Sequence, residues 1–145
     1  MGTDKVYEGK LIMKKFRMIA VALATTVAFA TPVFAEWTEA TESVSGATYY
    51  IDYDTVKENN GYVYYWRLTD RLKPTEYGDL STKTLTEIDC DIPRKFRFLS
   101  FVYYNQPMAG GNGDAQKASS DEWKYPSPNT VGDTLTNAAC EYAGK

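Results

Sequence analysis

Residues Ser81 to Cys90 read STKTLTEIDC, and the fold turns on this stretch. Thr82, Thr84 and Thr86 alternate with Lys83, Leu85 and Glu87. A period of two with β-branched residues on one side is the pattern of a β-strand. The strand ends on a cysteine, and Asp91-Ile92-Pro93 stops it. The only other cysteine, Cys140, lies 50 positions on, in a stretch whose apolar residues recur at helical spacing. A bridge between the two would lock sheet to helix.

Strand patterns flank this stretch. Downstream, Arg94 to Asn105 sets Phe96, Phe98, Ser100, Val102 and Tyr104 against Arg97, Leu99, Phe101 and Tyr103. Upstream, Tyr62 to Thr69 (YVYYWRLT) is the strongest strand of the chain, entered through the turn signal Asn59-Asn60-Gly61. Its pattern predicts that Tyr62, Tyr64, Trp66 and Leu68 are buried, and that Val63, Tyr65, Arg67 and Thr69 face a wetter side. Ala47 to Tyr53 reads as another strand, followed by polar residues to Asn60, and Trp37 to Val44 as a short first one. Asp70 to Leu80 is a loop. Gln106 to Ser120 reads as a flexible, Gly-rich loop, and Glu122 to Tyr125 as a short edge strand ended by Pro126.

From Ser127 the period changes. Ser127 is placed to cap a helix, with Pro128 at its first position. Val131, Leu135, Ala138, Ala139 and Tyr142 form the apolar stripe, Cys140 lies beside it, and Gly144 is the stop. Asp133, Thr136, Asn137 and Glu141 are expected in solvent. The fold expected is α+β: an antiparallel meander sheet of about five to six strands, with a C-terminal helix packed on it and tied by one disulfide.

The amino-terminal segment reads as a targeting signal. Met13-Lys14-Lys15-Phe16-Arg17 is basic, Met18 to Ala30 is apolar, and Thr31-Pro32-Val33-Phe34-Ala35 supplies a proline and small residues before Glu36. Such a pattern predicts a cleaved signal peptide over 1–35, cut between Ala35 and Glu36, with 1–12 an upstream extension and 36–145 a single domain. The apolar run falls short of the roughly 20 residues that span a bilayer. Cleavage removes five of the 16 Lys and Arg and two of the 19 Asp and Glu, leaving a net charge of −6. An acidic domain is a poor partner for nucleic acid or an anionic membrane. Export also places Cys90 and Cys140 where thiols oxidise, so a disulfide between them is expected. A reactive thiol or a metal pair would need a base or a third ligand beside it, and the sequence shows neither.

Little else speaks for chemistry. There is no histidine, which removes the commonest general base and metal ligand. Asp52 with Asp54, and Asp89 with Asp91, could in principle do acid–base work. Residues two apart share a strand face, however, and usually meet solvent or a lysine. Gly110-Gly111-Asn112-Gly113-Asp114 is one imperfect copy of a calcium repeat that works only in arrays. Phosphate-cradling loops, serine elbows and zinc spacings are missing. No catalytic, cofactor-binding or metal residue is therefore assigned. The unusual feature is tyrosine: 12 in all, 11 of them after the signal. Two uses fit, packing and rim of a small sheet, or a recognition surface.

Tyr49-Tyr50-Ile51-Asp52, the strand from Val63 to Asp70 with Trp66, Glu87-Ile88-Asp89-Cys90, Trp123 with Pro126, and Pro128-Asn129-Thr130 leading to Asn137-Ala138-Ala139-Cys140-Glu141-Tyr142 together resemble the surface-adhesin protein E family of Gram-negative bacteria. The resemblance spans about Trp37 to Gly144 and implies the sheet, helix and disulfide just described. It also implies an exported, non-enzymatic, adhesin-like binding protein without cofactor, whose partners are host extracellular-matrix proteins or cells. The alternative is a soluble periplasmic protein that binds a small ligand or an envelope protein. Two features depart from the family's adhesin: no cysteine at the signal cut for lipid attachment, and Glu76 and Asp79 where a basic patch would lie.

Overall fold

The computed structural model describes residues 35–145, so the signal segment and the stretch before it lie outside the described residues. Six strands run in chain order: β1 (Trp37–Glu42), β2 (Thr48–Asn59), β3 (Tyr62–Asp70), β4 (Ser81–Asp89), β5 (Lys95–Tyr104) and β6 (Gly113–Lys117). They pair antiparallel in the order β1-β2-β3-β4-β5-β6, a meander. One helix, α1 (Val131–Tyr142), follows. It packs on β1, β2 and β3.

The strands expected before Gln106 are present, with altered limits. β1 stops at Glu42, and β2 continues past Tyr53 to Asn59. Asn60 (φ 52°) and Gly61 (φ 85°) make the tight turn into β3, both left-handed as the Asn-Gly hairpin signal implies.

The two faces of β3 are the reverse of the expectation. Val63 and Tyr65, 0% and 2% exposed, point into the core, where they meet Ile51, Ile88, Leu135, Ala139 and Cys140. Tyr62, Tyr64 and Trp66 lie half-buried on the other face, and of the expected buried set only Leu68 is fully covered. The register supplies the reason. Val63 pairs with Ile88 and Tyr65 with Thr86, so one face carries compact β-branched neighbours. Helix side chains as small as Ala139 and Cys140 can approach such a face closely, whereas indole rings and lysines would hold them off. Thr82, Thr84 and Thr86, on this same side, are all buried.

The helix begins later than the sequence implies. Ser127 and Pro128 belong to a turn, Asn129 is left-handed (φ 61°), and Thr130 is the N-cap. Its Oγ1 accepts the Asp133 N–H at 3.3 Å, while the Asp133 carboxylate accepts the Asn129 N–H at 3.0 Å. The first bond satisfies an orphan donor of the first turn, and the second ties the residue before the cap to it. At the other end Gly144 (φ 77°) donates to the Glu141 carbonyl and Lys145 to that of Cys140, a Schellman closure. Thr136 is buried instead of solvated, and Asn137 is half-buried, accepting from the Arg94 guanidinium at 2.6 Å. Tyr142, expected on the apolar stripe, is largely exposed, although its ring packs at a tilt against Tyr53, centroids 4.7 Å apart.

Cys90 and Cys140 form the disulfide, with Cα atoms 5.8 Å apart. It fastens the end of β4 to the buried side of α1, as expected from the two patterns.

The stretch from Gln106 to Ser120 is not the flexible loop expected. The Ser81 hydroxyl donates to the Gln106 carbonyl at 2.6 Å and accepts the Ala109 N–H at 2.9 Å, and Asp70 accepts the Met108 N–H at 2.8 Å. These bonds pin a single 3₁₀ turn, Pro107–Ala109, to the ends of β3 and β4. β6 then pairs with Ser100–Tyr104. Gly113 is there for space, since a Cβ would lie 2.6 Å from Val102 Cγ1. Glu122–Tyr125 forms no strand; one bridge joins Lys124 to Phe96.

Candidate binding face

The sheet face opposite α1 collects all three tryptophans of the chain. Trp37 and Trp66 are both cross-strand partners of Asp52, which puts the three on one face. The Lys83 ammonium sits over both rings, 5.8 Å from Trp37 and 5.2 Å from Trp66. Trp123 reaches the same face from the segment bridged to β5, taking Lys95 at 5.2 Å and Arg97 at 4.6 Å over its ring and Tyr62 beside it at 5.5 Å. Cation–π pairs of this kind hold long cationic side chains against flat rings and leave both half-exposed.

Between the two tryptophan clusters lies a polar linkage. Glu87 is buried, accepts the Tyr64 hydroxyl at 2.6 Å and forms an ion pair with Arg97. The carboxylate raises the Tyr64 pKa through that hydrogen bond and, by the same means, the pKa of Arg97. Burial raises Tyr65, and burial with the Glu39 and Asp70 carboxylates raises Tyr50. For these tyrosines the sign is clear. A folded pKa above the ordinary 10.0 means that the folded state holds the proton more tightly. Their contribution to stability is complete below about pH 10 and declines as pH rises beyond it. Urea midpoints followed by circular dichroism should therefore fall above about pH 10, and Tyr65→Phe should reduce that fall.

A groove of about 560 Å³ opens on this face beside Trp66. Tyr64, Trp66 and Leu85 line it from the sheet, Asp54, Thr55, Lys57 and Asn59 from β2, and Leu99 from β5.

The paired aspartates have separate fates. Asp52 is buried and Asp54 exposed. Asp89 pairs with Lys95 at 3.4 Å and accepts the Asp91 N–H at 3.1 Å, while Asp91 is exposed. Each member thus has a different setting. Among the described residues no cluster of three His, Cys, Asp or Glu could hold a metal ion, and no helix is long and apolar enough to cross a membrane. Gly113 and Asp114 of the glycine-rich stretch are taken up by β6. The tyrosines divide between core and surface. Tyr65 is core, Tyr50, Tyr62, Tyr64 and Tyr104 lie half-buried on the open face, and Tyr77 and Tyr125 are largely exposed. Sequence reasoning missed the gathering of Trp37, Trp66 and Trp123, which only strand register brings together.

Two solved structures of Haemophilus influenzae protein E superpose on the chain. Its crystal form II matches with a TM-score of 0.60 at 17% identity, over 79% of this chain and 94% of that one. The other structure matches with a TM-score of 0.56 at 16% identity, over 79% and 92%. At such identity the likeness concerns the fold. A search of curated proteins returns no significant match. The family model described as "Surface-adhesin protein E" matches residues 37–141, from the first residue of β1 to the last turn of α1, and so the chain belongs to the surface-adhesin protein E family.

Proposed function

We propose that the chain is exported, is cut between Ala35 and Glu36, and works as an adhesin-like binding protein without enzymatic activity. Its partner is a host extracellular-matrix protein or cell-surface protein, met by the sheet face that α1 leaves open. The carrying observation is the composition of that face: three half-buried indoles with Lys83, Lys95 and Arg97 laid over them. Trp, Tyr and Arg dominate the energetics of protein recognition, because they bring large area at low entropic cost. Family membership supports a place at the cell surface.

Protease shaving of washed cells tests the location, and binding of the purified domain to immobilised matrix proteins tests the partner. Shaving is expected to remove the protein, and Trp123→Ala to weaken matrix binding about tenfold, the scale of a hot-spot residue. Resistance to shaving together with release by osmotic shock would instead favour a periplasmic protein that binds an envelope protein or a small ligand. The groove beside Trp66, of small-molecule size, is the observation that favours this second reading.

A further inference from the structure

Two strands are irregular at one place on the open face. Between Asp52 and Lys57 β2 carries five steps against the two of β3 from Trp66 to Tyr64. Between Leu85 and Thr86 the pairing of β4 with β5 also shifts, leaving Leu99 as the extra residue. Both irregularities border the groove: Asp54, Thr55 and Lys57 come from the first, and Leu99 is the second. The interrupted ladder of β2 is patched by a side chain. Thr55 Oγ1 donates to the Asp52 carbonyl at 2.7 Å and accepts the Trp66 N–H at 3.0 Å. Bulges held in this way re-aim side chains and are over-represented beside functional sites.

At the head of the larger bulge stands Asp52. It is 7% exposed, and its Oδ1 has no hydrogen-bond partner. A buried polar atom left unpaired calls for an explanation beyond stability. Lys83, over the neighbouring indoles, forms no ion pair among the described residues. An unpaired carboxylate oxygen thus lies beside Trp66, the cross-strand partner of Asp52, with the Lys83 ammonium held there only by the rings.

We infer that this groove is a binding site for a neutral saccharide, whose apolar ring face stacks on Trp66 while its hydroxyls bond to the wall from β2. The chemistry of the lining selects that class. Trp66, Tyr64 and Leu85 offer apolar surface for C–H groups, and Asp54, Lys57 and Asn59 offer both donors and acceptors from β2. Asp54 and Lys57 carry opposite charges, so the wall has no net preference for an ionic ligand. An extended peptide would need free backbone groups at a strand edge. Here the floor belongs to β3 and β4, interior strands with a neighbour on each side, and the donor that the bulge frees at Trp66 is taken by Thr55. The volume is that of an ordinary small-ligand site. None of this depends on whether the mature protein stays in the periplasm or reaches the surface.

The test uses purified protein in its oxidised form with soluble chitohexaose, cellohexaose and a heparin-derived hexasaccharide, followed by tryptophan emission and saturation-transfer NMR. Saturable binding of a neutral hexasaccharide is expected, weakened at least tenfold by Trp66→Ala and unchanged by Glu141→Ala, exposed on α1 across the sheet from the groove. Asn59→Ala, exposed at the rim and remote from the core, should weaken it about threefold and guards against a folding defect in the tryptophan variant. Three results would overturn the inference: no binding of either neutral sugar, binding indifferent to Trp66→Ala and Asn59→Ala, or binding of the sulfated sugar alone. Loss of matrix-protein binding with the sugar response intact would strike only the functional proposal above.

Discussion

Replacing Cys90 and Cys140 together by serine is expected to lower the unfolding free energy by about 4 kcal/mol. The bridge spans a sequence separation of 50, and closing a loop of that length removes this much chain entropy from the unfolded state. Against the ~5–15 kcal/mol of an ordinary domain the loss is large, and it corresponds to a melting temperature lower by roughly 15 °C. The effect should be visible in the helix first. α1 has 12 residues, Gly132 and two threonines among them, and a helix so short and so composed is marginal without tertiary support. Urea unfolding by circular dichroism at 222 nm measures the difference, and adding a reductant to the unmutated protein should produce most of it. A change below about 1 kcal/mol in both experiments would contradict the role assigned to the bridge.

Leu135→Ala is the second large effect. Leu135 is 1% exposed and packs into the cluster of Ile51, Val63, Tyr65, Ile88 and Ala139. Truncating a leucine in such a place costs the transfer energy of the lost methyl groups and the cavity they leave, about 3 kcal/mol. Glu141→Ala, exposed on the same helix, should change stability by about 0.5 kcal/mol or less. The contrast between the two, measured at one temperature, reports whether α1 is docked by this face. Equal small effects would mean that it is not.

Much of this architecture could be read before any coordinates. Alternation in Ser81–Cys90 and Arg94–Asn105, the Asn-Gly turn before Tyr62 and the helical spacing of Val131, Leu135 and Ala139 are local signals, and each gave the right element. The rest was not legible in the alternation alone. Which face of β3 is covered depends on its neighbours: Tyr62, Tyr64, Trp66 and Leu68 are the more apolar set, but Ile88 and Thr86 of β4 offer the helix a closer approach to Val63 and Tyr65. β6 was hidden because Gly113, Asp114 and Gln116 have low strand propensity; pairing with β5 and the anchored turn before it decide the matter. The helix start was displaced because Ser-Pro is a good opening on paper, while the left-handed Asn129 and the Asp133 N–H donated to Thr130 Oγ1 fix the actual cap. The open face was the least legible part. Its tryptophans lie far apart in sequence, and only the register of β1, β2 and β3, with the Phe96–Lys124 bridge, brings them to one side.

Hydroxyl-radical footprinting of the folded, oxidised protein, read by mass spectrometry, tests the division of the sheet into one covered and one open face most directly. Oxidation should appear at Trp37, Trp66 and Trp123, with Val63, Tyr65 and Leu135 protected until the protein unfolds. Protection of the tryptophans with labelling of Tyr65 would show that the helix lies on the other side, and the binding face with it.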